Sequence, residues 1–140
     1  MILSCNYEEI SALRQGARAF LEGGEGDRYA VTAPTAAQAP VAALLPRLIG
    51  DLAFTTLEEL RAVQVAVEAI VICLRVEMET AVAATHPADE QAVSAYFDFA
   101  HAYAVLCRIR DMGKEMTVLI ELMTGEQVTQ DHAKEFVFPD

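Results

Sequence analysis

Ser94, Asp98 and His101 fall on one helical face and bring together a hydroxyl, a carboxylate and an imidazole. That set invites a hydrolase, but Ser94 and His101 stand two turns apart, about 10 Å along a helix axis. A nucleophile and its base must be within hydrogen-bond reach. The simpler account is a solvated polar stripe with a local Asp98 to His101 contact, since residues three apart on a helix are neighbours. Two-fold symmetry could bring two Asp98/His101 pairs together around a metal. Bundle di-metal proteins, however, use a Glu-x-x-His pair on each of two helices with further carboxylates on others, and this sequence has no such motif. The other histidines, His86 and His132, lie in separate regions, so neither a metal nor a cofactor is expected.

Glu68 and Arg75 sit in the most apolar part of the chain, and Asp98 could partner Arg75 if the two long helices fold back on each other. A buried pair of this kind can bind a small polar ligand or fix helix register. Charged residues are rarely fully buried, which favours a stripe facing solvent or a covering loop. Glu77 and Glu79 do not share a face and make no catalytic carboxylate pair. The glycines at 23, 24 and 26 follow a helix and are not flanked by a strand, so they are no phosphate loop. The sequence therefore offers no catalytic set. Its candidate ligand-binding residues are Glu68, Arg75, Asp98 and His101.

The elements that must position these residues are helices. Asn6 with Glu9, and Thr55 and Thr56 with Glu58 and Glu59, are capping pairs that open helices over 7–22 and 55–85. On a helical wheel the second of these carries its polar residues, Glu58, Arg61, Gln64, Glu68, Arg75 and Glu79, in an arc of about 120°, leaving its middle turns apolar over roughly 240°. One neighbour cannot cover that. The run is too short, and too interrupted by Gln64 and Glu68, to span a membrane.

A connector is expected over 23–39, with a strand-like piece from Arg28 to Thr32, and a short helix kinked by Pro46 over 40–51. The break at Thr85, His86 and Pro87 opens a long helix over 88–124, which runs through Gly113 and stops at Gly125. The tail, 125–140, holds a possible turn of helix near Gln130 and ends in Phe136, Val137, Phe138 and Pro139, residues expected to pack back on the bundle, on a neighbouring subunit, or against Arg28 to Thr32.

With 140 residues this is one domain. The net charge of −11 disfavours nucleic acid and anionic lipid as partners, and the ten basic residues form no patch. Cys5, Cys73 and Cys107 lack metal or disulfide spacing, and Met1 to Ile10 has no secretory signal, so free thiols and a cytoplasmic location follow.

The fold class is all-α: a long antiparallel helical hairpin, with residues whose numbers sum to about 173 lying level, and shorter helices packed on it. The second long helix is apolar on two sides: Val93, Phe97, Ala100, Ala104 and Cys107 make one row, and Phe99, Tyr103, Leu106 and Ile109 the other. Two such helices with little to cover them point to a homodimer built from four long helices, the alternative being a monomer in which the first helix and the kinked helix are the third and fourth members. Charges at Ile70 and Leu74 would then destroy both dimer and fold. The function this implies is a non-enzymatic protein-protein interaction or regulatory protein. The alternative is a small-ligand binder or enzyme with a pocket between the long helices.

Overall fold

The computed structural model describes residues 1–22, 35–84 and 89–125. Four α-helices pack together: α1 Tyr7–Leu21, α2 Gln38–Leu44, α3 Leu57–Ala84 and α4 Glu90–Thr124. Among the described residues the only strands are β1 Ile2–Leu3 and β2 Leu52–Ala53, which pair antiparallel. The 28–32 strand, His86, His132 and the phenylalanines at 136 and 138 lie outside the described residues.

Each helix start and the ends of α2 and α4 have a local cause. At α1 the Asn6 side chain accepts from the Glu9 N–H at 2.8 Å while the Glu9 carboxylate accepts from the Asn6 N–H at 3.0 Å. At α3 the Glu59 N–H donates to the Thr56 hydroxyl at 3.2 Å, and the Glu59 carboxylate reaches back to the Thr55 N–H at 2.8 Å. These contacts hold Glu59 below the usual carboxylate range, the Thr55 N–H foremost. α2 begins two residues before Pro40, whose missing N–H falls in the first turn where no intrahelical partner exists. Pro46 then ends it, and Leu45–Arg47 tightens into a 3-10 turn. α4 starts from Asp89, whose side chain accepts from the Gln91 N–H, and runs through Gly113. It stops at Gly125, which takes the left-handed φ of 71° and donates its N–H to the Glu121 carbonyl.

The core lies between α3 and its neighbours. Leu57, Leu60, Ala66, Val67, Ile70 and Cys73 of α3 are fully buried. Leu13 and Ala17 of α1, Val41 and Leu44 of α2, and Val105 and Ile109 of α4 close over them. α1 approaches α3 closely because Gly16 has no side chain. A Cβ there would stand 2.6 Å from Ile70 Cγ2 and 3.0 Å from Leu74 Cγ. The apolar arc of α3 is thus covered within one chain, and Ile70 and Leu74 belong to the protomer core, at 0% and 1% exposure.

The N-terminal residues complete the other side of the core. Met1 and Phe54 exchange backbone hydrogen bonds of 3.1 and 2.8 Å beyond the two-residue ladder. Leu3, Leu52 and Phe54 become buried, and Arg47 lies over the Phe54 ring at 5.9 Å while donating to the Ala53 carbonyl.

Candidate functional site

The four residues that the sequence nominates as a ligand site are spread out. Glu68 accepts from the Gln64 side chain at 3.2 Å and pairs with Arg110 at 3.5 Å. Arg75 makes an exposed pair with Glu79 at 3.9 Å, one turn along its own helix, and is not joined to Asp98. The Arg75 to Asp98 pairing therefore does not form: a nearer carboxylate on the same helix face takes the guanidinium. Asp98 has His101 beside it, yet burial dominates and pushes its carboxyl above the usual range. The His101 ring packs 6.5 Å from the Phe97 ring.

Asp98 does line a cleft of about 720 Å³ where the end of α3 meets the start of α4. Its other walls include Gln15, Glu77, Thr80, Asp89, Glu90 and Ser94, while Glu68, Arg75 and His101 lie elsewhere. The cleft is wide open and its charged walls are all acidic. Among the described residues no group of three or more His, Cys, Asp and Glu side chains could hold a metal ion. No described helix is long and apolar enough to cross a membrane.

A second cluster joins residues far apart in sequence. Arg108 grips Glu9 with two hydrogen bonds, 2.7 Å to Oε2 and 2.9 Å to Oε1, and donates to the Ser4 carbonyl at 2.8 Å. The Cys5 N–H donates to Asp51 at 3.0 Å. Glu9 is 5% exposed and is the only buried charged residue among those described. The Arg108 hydrogen bonds outweigh the opposing burial and, with the Asn6 N–H, hold the Glu9 carboxyl below its ordinary range. Burial pushes the Cys5 thiol up despite Arg108, so at neutral pH it is a thiol and a poor nucleophile. All of the Glu9 oxygens' partners belong to the protein. The cluster ties the N-terminal residues and α1 to α4, a structural role.

Among the described residues, one face of α4 is left without a neighbour. Five of its six buried residues, Ala102, Val105, Leu106, Ile109 and Ile120, point toward α1 and α3; the sixth is Ala92. On the opposite side Val93 is 39% exposed, Tyr96 and Phe97 54%, and Tyr103 44%, with Ala100, Ala104 and Cys107 half-buried between them. Beyond a charged turn at Arg110, Asp111, Lys114 and Glu115, the same face continues in Val118 and Leu122. Tyr96 meets Phe97 edge-on at 5.8 Å, which holds the rings side by side on the surface. Of the two rows read from sequence, Leu106 and Ile109 go inward and Val93 and Phe97 go outward.

No family model, no curated protein and no solved structure matches this chain.

Proposed function

We propose that this protein is a non-enzymatic, cytoplasmic interaction or regulatory module that works through its helical surfaces, and that it associates with itself. The observation that carries this reading is the outward face of α4, where three aromatic rings and Val93 stand exposed along about three turns. Scattered apolar residues are normal on a surface, but a contiguous stripe at helical spacing marks an association surface. Three free cysteines suit a reducing compartment.

The frame of the module is an antiparallel hairpin of α3 and α4. Supporting this are Glu68 paired with Arg110, and Gln64 Oε1 lying 3.6 Å from where a Gly113 Cβ would be. They favour a register about one turn from the one the sequence suggests. Light scattering over a concentration range tests the proposal. A mass that rises to twice that of the chain is expected; a single-chain mass throughout would remove self-association from the reading. The competing ligand-binding reading has the acidic cleft beside Asp98 as its place. A thermal shift with a cationic metabolite would favour it, since a ligand bound only by the native state raises stability.

A further inference from the structure

We propose that the Val93 to Cys107 face of α4 pairs with the same face of a second copy, antiparallel, about a two-fold axis at Ala100. This rests on the self-association proposed above and adds the face, the direction and the register.

The spacing comes first. Positions 93, 96, 97, 100, 103, 104 and 107 recur at three and four residues, the pattern of a helix seam. On the wheel Val93, Ala100, Ala104 and Cys107 lie within about 40° of the direction opposite Ala102 and Ile109, so they point straight away from the core. Tyr96 and Tyr103 flank them on one side and Phe97 on the other. This stripe carries no charge, in a chain whose net charge of −11 otherwise drives copies apart.

The stripe is complementary to itself when reversed. With the axis at Ala100, Val93 comes level with the partner's Cys107, and Tyr96 and Phe97 come level with the partner's Ala104 and Tyr103. Like flanks adjoin across the axis, so Tyr96 lies beside the partner's Tyr103 on one flank and Phe97 beside the partner's Ala104 on the other. Two Ala100 methyl groups at the axis let the helices approach closely.

Charge selects the antiparallel direction. Asp89 and Glu90 stand at one end of the stripe, and Arg108, Arg110 and Asp111 at the other, two arginines against one aspartate that comes level with the partner's Asp89. Reversal about Ala100 brings Asp89 beside the partner's Arg110 on one flank and Glu90 beside the partner's Arg108 on the other. A parallel pair would set each end against its own kind. Both arginines remain available, with side chains 40% and 43% exposed and donors beyond those that Glu9, Ser4 and Glu68 engage.

Area supports a second copy of the same helix as occupant. With each ring worth about 150–250 Å², the exposed parts of Tyr96, Phe97 and Tyr103 present roughly 300 Å². Adding Val93, the alanines and four flanking charges brings the contact to roughly 600 Å² per copy. The total of about 1,200 Å² is at the lower edge for stable pairs, so the dimer should dissociate on dilution.

The test is disulfide trapping in a Cys5→Ser background. Val93→Cys is expected to form a covalent dimer with the native Cys107 under mild oxidation, and Cys107→Ser is expected to abolish it. Positions 93 and 107 are about 21 Å apart along one helix, so that bond cannot form within a chain. Ala100→Cys is expected to trap a dimer through itself. Ser94→Cys, off the stripe, is expected to trap at least ten-fold more slowly. A solution dimer that traps equally at position 94 would overturn this face and register while leaving self-association intact. A monomer with a reactive thiol at position 100 would mean that the face waits for a different protein, and would overturn both readings. A monomer whose position 100 is unreactive would show that the chain's own residues cover the stripe, with the same result.

Discussion

The two long helices differ in what surrounds them. In α3, 11 of 28 residues are buried, spread from Leu57 to Ala81, because α1, α2 and α4 all pack on it. In α4, 6 of 35 are buried, and the face away from α1 and α3 has no neighbour among the described residues. α3 therefore carries the fold, while α4 shares its apolar surface between the fold and the outside. Substitutions should separate these two roles.

The sharpest contrast is expected between Ile70→Ala and Leu122→Ala. Ile70 is fully buried, and its truncation should cost about 2–5 kcal/mol in urea unfolding from lost burial and a residual cavity. Leu122 is 78% exposed, and its truncation should stay within about 0.5 kcal/mol. Equal losses would break the comparison.

Arg108→Ala should come next, at about 2–3 kcal/mol, because it leaves the buried Glu9 carboxylate without its cation. The figure is discounted because the arginine side chain is 40% exposed. The sign of the pH dependence follows from Glu9. Its folded pKa lies below the unfolded value, so the native state holds its proton less tightly. The stabilisation is complete above the ordinary carboxylate pKa and is lost as pH falls through the depressed folded value. Acid denaturation of Arg108→Ala, followed by circular dichroism, should lose that contribution. Asp98 has the opposite sign: its pKa is raised, so its ionised form costs stability at neutral pH. Asp98→Asn should raise the neutral-pH melting temperature slightly.

Two glycines sharpen the contrast through opposite signs. Gly16→Val should destabilise by about 1–3 kcal/mol, since its Cβ meets Ile70 at 2.6 Å and the added bulk overpacks the α1–α3 contact. In α4, a Cβ at Gly113 stands 3.6 Å from Gln64 Oε1, an ordinary contact. Gly113→Ala should therefore stabilise, by up to about 1 kcal/mol from helix propensity. Matched thermal melts would show both signs at once. Asn6→Ala should cost about 1 kcal/mol for a lost cap.

The features legible in the sequence were those with local causes. Asn6 with Glu9, Thr56 with Glu59 and Gly125 act within a few residues, and helices begin or end beside them, whereas the helix expected over 40–51 stops at Leu44, just before Pro46. The all-α class followed from apolar spacing. The Glu9 to Arg108 grip was not legible, because the residues are 99 positions apart and Glu9 already had a reason to be there as a capping partner. Gly16 gave no signal either, since its importance comes from Ile70 and Leu74 across the interface. The β1–β2 ladder is two residues long on each side, too short for an alternating pattern to register. The apolar arc of α3 is legible in the sequence, but spacing does not measure the reach of α1 and α2, so a second chain, which the sequence favours, and these two helices both stand as candidates to cover it. The nominated site failed to gather for the same reason: Arg75 and Asp98 depend on register between helices, whereas the Arg75 to Glu79 contact depends only on the helix itself.

The central claim is that the outward face of α4 holds copies together and contributes nothing to folding the single chain. Phe97→Glu tests it most directly, because Phe97 is 54% exposed and its ring touches the Tyr96 and His101 rings on its own helix. Light scattering across one concentration range should show the wild-type chain reaching twice its mass while Phe97→Glu stays at single mass, with an unchanged cooperative thermal melt for the dilute monomers. An undisturbed dimer in Phe97→Glu, or a wild-type chain that never leaves single mass, would contradict it.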